Sequence, residues 1–280
     1  PAGDADAAAR SVRLKGSGMS TIRRVAVAAA LAAGRLLREH VGRVREIRYK
    51  GAVNLVTEVD LASEQLIVGT IRSAFPDHAF LTEEGSGQAS LDAPALWVID
   101  PLDGTTNFAH GYPMFCVSIA FLRNGRPELG VVYQPLLDEL FLAERGTGAF
   151  LNGERIQVST HQELRSALLA TGFPYDLERR REALAAFARF TLTARAVRRD
   201  GSAALNLAYV AAGRFDGFWE QELSPWDTAA GVLLVEEAGG TVTDYTGQPY
   251  RLSQGTCVAS NGWIHRAMLD LIAGDTEVLE

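Results

Sequence analysis

The chain has 280 residues, 47% of them apolar, and a net charge of −7; it can bury a large core, while no apolar run approaches the roughly 20 residues of a membrane span. The acidic balance argues against a broad nucleic-acid footprint, and two cysteines, Cys116 and Cys257, without C-x-x-C spacing, support neither a disulfide framework nor a zinc ribbon. A reducing cytoplasm is the expected location, and five scattered histidines without H-E-x-x-H leave carboxylates as the candidate metal ligands.

Residues 1–18, rich in Ala, Gly, Asp and Ser, show no sustained apolar period and read as a flexible leader or expression remnant before Met19. The remainder, 19–280, is expected to form one domain, with an α+β half over about 20–160 and an α/β half over about 161–276. Apolar residues Ile22, Val25, Ala29, Ala32, Leu36 and Leu37 recur at helical spacing, so 21–42 reads as an amphipathic helix. A strand near 44–49 and a loop holding Lys50 and Gly51 follow; then Asp60 is expected to N-cap a helix over 61–75 that stops at Pro76. A short apolar strand at 79–82 runs into Glu83, Glu84 and Gly85.

The next strand, at Trp97, Val98 and Ile99, leads into Asp100-Pro101-Leu102-Asp103-Gly104-Thr105-Thr106. Pro101 fixes its own φ and disfavours helix at Asp100, so an extended-to-turn backbone is expected to hold both acids. Two carboxylates beside the Leu102 carbonyl suit a hard divalent cation such as Mg²⁺. An Asx-type turn that satisfies local amides is the competing reading. Short strands at 115–122, 130–134, 139–143 and 149–151, punctuated by Asn124-Gly125, Pro135 and Gly146, predict antiparallel hairpins.

From about residue 161 helix and strand alternate. Strands are expected at 168–171, at Val197 and at 217–220, with a helix over 177–190; the basic clusters at 179–181 and 195–199 read as solvated faces. Ser202 is expected to cap a helix over 203–212, leaving the amides of Gly201, Ser202 and Ala203 as an anion site. In Ser224-Pro225-Trp226-Asp227-Thr228, Asp227 is expected as the N-cap of a helix over 229–238, closed by Gly239-Gly240. Strands at 241–244 and 257–259 and a helix over 264–272 complete the reading.

Glu83, Asp100 with Asp103, and Asp227 each follow a strand or open a helix, as ligands gathered at one sheet edge would. W-V-I-D-P-L-D-G-T-T-N-F, with L-T-E-E-G upstream and S-P-W-D-T-A-A-G downstream, resembles the three motifs of the inositol monophosphatase family, in the right order and over nearly the whole chain after Met19. The resemblance implies a layered αβαβα sugar-phosphatase fold of the α+β / α/β class, a Mg²⁺-dependent, Li⁺-sensitive phosphomonoesterase, and a homodimer. By matching positions it implies Glu83, Asp100, the Leu102 carbonyl, Asp103 and Asp227 as metal ligands. Glu83, and Thr105 backed by Asp60, are implied in catalysis, the last two orienting the attacking water. Asp103, the amides of Gly104 and Thr105, and Gly201, Ser202, Ala203 and Glu220 are implied in substrate binding. Glu84 would stand behind the ligands, and Lys50 occupies a loop that in relatives moves over the metals.

These residue types suit the reaction, because a phosphate monoester dianion repels nucleophiles until its oxygens are neutralised, and closely spaced metal ions can do this. Inositol 1-phosphate is the expected substrate: Glu220 can accept hydrogen bonds from a polyol, whereas neither it nor Ala203 offers an aromatic platform or a positive charge. Fructose bisphosphate, adenosine bisphosphates and histidinol phosphate are the rival substrates of the same superfamily, although Thr106-Asn107-Phe108 resembles the inositol phosphatases, since nucleotide and histidinol phosphatases commonly carry lysine after the first threonine. A rival of another class is a non-catalytic regulatory or RNA-polymerase-associated partner, for which a complete acid set would be superfluous.

Overall fold

The computed structural model describes residues 20–43, 47–50, 54–174 and 176–274, with backbone alone at 47–50 and 54–56. The leader expected at 1–18 and the side chain of Lys50 lie outside the described residues. Helix α1 (Thr21–His40) is followed by a hairpin of β1 (Ile47–Lys50) and β2 (Asn54–Thr57) and by helix α2 (Glu58–Ala74). A seven-stranded sheet then runs in sequence order through β3 (Ala79–Thr82), β4 (Ala95–Asp103), β5 (Cys116–Arg123), β6 (Arg126–Gln134), β7 (Glu139–Glu144), β8 (Gly148–Leu151) and β9 (Glu154–Ile156). A short helix, α3 (Thr105–Ala109), follows β4. Only β3 and β4 pair in parallel; the rest are antiparallel neighbours.

The second half supplies β10 (Leu168–Thr171), α4 (Leu177–Thr193), β11 (Ala196–Arg198), α5 (Ala203–Ala211), β12 (Gly217–Gln221), α6 (Pro225–Glu237), β13 (Thr241–Thr243), β14 (Thr256–Ser260) and α7 (His265–Ala273). Its five strands are ordered β11-β10-β12-β14-β13, parallel around β10 and antiparallel around β14.

The period-two direction of strand side chains sorts the core into three clusters and thereby the layers. On β4, Trp97 and Ile99 join Ala26, Ala30, Leu37, Ile67 and Ile71 of α1 and α2, while Leu96 and Val98 point the other way, into the cluster of α5 and α6. On β12, Phe218 joins that central cluster, whereas Trp219 packs with Phe190 of α4 and Met268 of α7. The order is helix pair, sheet, helix pair, sheet, helix pair: the αβαβα arrangement. Its central layer explains why 97–99 reads as an unbroken apolar run and why only Ser118 interrupts 116–122, since both sheet faces are covered. Fully buried Trp97, Phe108 and Phe121 each stabilise the fold by roughly 2–3 kcal/mol through removal of apolar surface from water.

Several element ends differ from the sequence reading. Asp60 is not an N-cap: Thr57 caps α2, its hydroxyl accepting from the Val59 amide, and Asp60 is the third helical residue, returning a carboxylate to the Thr57 amide. Asp227 is likewise the third residue of α6, behind the cap Ser224, because Pro225 is pre-organised for the first helical position. Strand β4 does not end at Ile99 but continues through Asp103, with its pairing to β5 shifted between Asp100 and Asp103, where Pro101 has no N–H to donate. β9 was not expected; Asn152 and Gly153, both at positive φ, form the turn leading into it.

Candidate active site

The edge where β3 and β4 end gathers the acids. β3 lies parallel to β4, so Thr82 stands beside Ile99, and the Glu83 amide donates to the Ile99 carbonyl at 3.2 Å. Glu83 therefore turns out beside Asp100. At the irregularity in β4, the Leu102 amide donates to Asp100 Oδ1 at 2.9 Å, the Asx-type turn weighed above. That turn coexists with an acid cluster rather than replacing it. Gly104 follows at φ 97°, and a Cβ there would lie 2.8 Å from the Met114 carbonyl, so only glycine fits the step from β4 into α3.

Asp103 receives two of its partners from the other half of the chain and one from the neighbouring strand β5. Its Oδ2 accepts from the Ser202 hydroxyl at 2.6 Å, the Ala204 amide at 2.8 Å and the Cys116 thiol at 3.7 Å. Ser202 occupies the cap position of α5, but its side chain makes no capping bond. It is buried behind Asp103 and does not line the cavity described next, whereas Gly201 and Ala203 on either side of it do. Asp227 Oδ2 accepts from the Ser224 amide at 2.6 Å.

Glu83, Asp100, Asp103 and Asp227 line a single cavity of about 490 Å³ with Leu102, Gly104, Thr105 and Glu220. Asp60 stands behind that wall. Its Oδ1 accepts from the Thr105 hydroxyl at 3.0 Å, and the same hydroxyl lies 3.1 Å from the Leu102 carbonyl. Glu220 lies against the backbone of Gly172, where a Cβ would collide with its carboxyl.

Burial raises Asp60, Asp100, Asp103, Glu220 and Asp227. For Asp100 the next causes are the charges of Glu83, Asp103 and Asp227. Asp103 is raised by burial against the opposing hydrogen bonds from Ser202 and Ala204, and Asp227 by burial and then by Asp103 and Glu83. Burial and the charge of Asp103 push Glu220 up to about 8, with Arg199 pulling the other way. Asp60 is raised by burial against the bonds from Thr57 and Thr105. Among the described residues no three His, Cys, Asp or Glu side chains are drawn together around one metal-sized point; the acids instead surround a shared space. Carboxylates so buried and so close are stable in ionised form only with cations between them. All the donors are hard oxygens, so the set fits a divalent cation that prefers oxygen ligands.

Five residues that sequence reasoning did not place at the site belong to it. Arg180 and Arg199, expected on solvated faces, line the cavity, as does Phe173, over whose ring the Arg199 guanidinium stands at 5.9 Å. The reading of both arginine clusters as solvated faces is thus corrected for Arg180 and Arg199, which with Phe173 bring the positive charge and aromatic surface that Glu220 and Ala203 lack: i,i+1 clusters of arginine do not reveal which member turns inward. Asn107 donates at 2.6 Å to the carbonyls of both Met114 and Asp200, tying the loops of the two halves together. Glu64, the fifth, accepts from the amides of Glu84 and Ser86.

A layered α+β fold with buried carboxylates from two halves converging on one cavity defines the class of metal-dependent phosphatases. The model of the inositol monophosphatase family matches residues 18–278, and the chain belongs to that family. It is 46% identical to an inositol-1-monophosphatase of Synechocystis over 92% of this chain and 90% of that one. It is 47% identical to the Nus factor SuhB of Escherichia coli K12, over 88% of this chain and 93% of that one. The crystal structure of the extragenic suppressor protein suhB from Bartonella henselae superimposes with a TM-score of 0.87 at 41% identity, covering 90% of this chain and 98% of that one.

Proposed function

We propose that the protein hydrolyses phosphate monoesters with Mg²⁺ as cofactor, and that inositol 1-phosphate is its preferred substrate. The observation that carries this reading is the convergence of Glu83, Asp100, Asp103 and Asp227 on one cavity that also holds Thr105 and Glu220. In it Glu83, Asp100, the Leu102 carbonyl, Asp103 and Asp227 hold the divalent cation or cations. When bound, these neutralise the phosphate oxygens and acidify water.

The chain's own groups do the rest. The Thr105 hydroxyl donates toward Asp60 Oδ1, which leaves its oxygen lone pairs to accept a proton from the attacking water and fix its direction. Asp60, raised by burial, is suited to take the proton that Thr105 passes on. The amides of Gly104 and Thr105 hold phosphate oxygens beside Asp103, and the segment Gly201, Ser202 and Ala203 bounds the alcohol portion, with Ser202 acting through Asp103. Glu220, with its pKa pushed up to about 8, meets the hydroxyls of a polyol.

Residues 19–280 act in this reading as one domain, since both halves supply cavity residues. The same reading carries a homodimer, inhibition by Li⁺ and a cytoplasmic location; two buried free cysteines suit a reducing compartment, and no helix among the described residues is long and apolar enough to cross a membrane. Relatives named Nus factor SuhB are as similar as those named inositol-1-monophosphatase, and the complete acid set favours the enzyme over a purely non-catalytic role. Phosphate release from inositol 1-phosphate, with and without Mg²⁺, tests the proposal; no Mg²⁺-dependent release would refute it.

A further inference from the structure

Helix α2 turns one face toward the acid cluster, and three residues at i, i+3 and i+4 on that face each hold a different part of it. Asp60 accepts from Thr105 at 3.0 Å, Ser63 donates to the Pro101 carbonyl at 2.9 Å, and Glu64 accepts from the Glu84 amide at 2.7 Å and the Ser86 amide at 2.8 Å. Glu64 is 1% exposed. We infer that Glu64 is a positioning residue: its carboxylate pins the turn after β3 and so fixes Glu83 relative to Asp100. The inference rests on the metal-binding reading of that site.

The residue type carries the argument. Two amide hydrogens of one turn meet the two oxygens of one side chain, Oε2 on Glu84 and Oε1 on Ser86. A carboxylate can accept both; glutamine has one acceptor oxygen and would set its NH₂ against an N–H. Packing alone gives no reason for a buried acid here, because a buried carboxylate costs free energy unless donors meet it, and an apolar side chain would fill the space without that cost. The tip of the turn is where Glu64 acts: Gly85, at φ 95°, and Ser86 are exposed, and the bonds that close the base of the turn, the Thr82 amide on the Gly87 carbonyl and the Gly87 amide on the Thr82 hydroxyl, each at 3.1 Å, and the Ala89 amide on the Phe80 carbonyl at 2.9 Å, leave the Glu84 and Ser86 amides to Glu64. Glu83 leaves β3 directly into this turn, so freedom in the turn becomes freedom in a ligand.

The test is calorimetric titration of the metal-free protein with Mg²⁺, alongside its thermal melting and the KM for substrate at saturating Mg²⁺. Glu64→Gln is expected to bind Mg²⁺ at least about tenfold more weakly, as for other groups that orient a metal ligand without touching the metal, with KM changed less than about twofold because the substrate contacts stand. A folded Glu64→Gln with a lowered melting temperature and wild-type Mg²⁺ affinity would overturn the inference, since a brace of the fold alone gives that result. If Glu64→Gln does not fold, Ser86→Pro, which removes one of the two donors from an exposed position, carries the same comparison: weaker Mg²⁺ binding supports the role and equal binding overturns it. Absence of Mg²⁺ binding by the wild-type protein is the distinct outcome that overturns the metal reading itself.

Discussion

Asp103, the last residue of β4, and Ser202, at the start of α5, meet at 2.6 Å across the boundary between the two sheets. The bond makes the acid of one half dependent on the other half for its orientation. Asp103→Asn can keep its side-chain oxygen on the Ser202 and Ala204 donors, so the fold should survive. The lost charge should lower Mg²⁺-dependent phosphate release by at least about a hundredfold. Thermal melting with the activity assay checks both halves of the statement, and wild-type turnover would contradict the site.

Thr105 offers a cleaner test of the water-orienting group. Thr105→Ser retains the hydroxyl near Asp60 and should keep kcat within about tenfold of wild type, whereas Thr105→Ala should lose roughly 10²- to 10⁴-fold, the usual range for removing a proton-transfer group. Steady-state kinetics at saturating Mg²⁺ decides. Equal losses in the two variants would mean that the hydroxyl has no such role.

Gly104→Ala combines an unfavourable φ of 97° with a Cβ 2.8 Å from the Met114 carbonyl. It should destabilise the fold by about 2 kcal/mol and lower kcat through displacement of the neighbouring amides. Urea denaturation midpoints measure the first effect; an unshifted midpoint would show that the backbone relaxes at this step.

Substrate choice should depend on Glu220. Glu220→Gln is expected to lower kcat/KM for inositol 1-phosphate by about tenfold while changing an aryl phosphate less than about twofold, because only the polyol loses a hydrogen-bond partner. Because Arg180 and Arg199 line the same cavity, fructose 1,6-bisphosphate and adenosine 3',5'-bisphosphate belong in the panel with histidinol phosphate. A bisphosphate at the head of the wild-type ranking would move the substrate assignment while leaving phosphate release intact.

The pH dependence of stability should carry a contribution from His265. It is buried between the hydroxyls of Thr243 and Ser260, each at 2.9 Å, and burial holds its pKa below the ordinary 6.5. A depressed histidine pKa means that the unfolded chain binds the extra proton first. Its contribution is therefore fully present above about pH 6.5 and is lost as pH falls from there toward the folded-state pKa. His265→Gln should flatten the decline in unfolding free energy between about pH 7 and 5 relative to wild type; superimposable slopes would assign the decline to other groups.

The sequence by itself determined the element types and the acids. The apolar run at 97–99 reported a buried strand, the short strands from 115 onward reported antiparallel hairpins, and the spacing of Glu83, Asp100, Asp103 and Asp227 after strands and at a helix start reported a shared edge. Local chemistry acts over a few residues, which is why the capping pattern of Thr57 with Asp60 and of Ser224 with Asp227 was also legible in principle, as a small polar residue three positions before an acid. Only the tertiary structure decided the long-range partners: Ser202 behind Asp103 rather than capping α5, Arg180 and Arg199 turned into the cavity, Asn107 bridging two loops, and Glu64 clamping the turn beside Glu83. Each depends on how separate elements approach, and the same side chain can cap, coordinate or face water until that approach fixes which donors lie within about 3 Å of it.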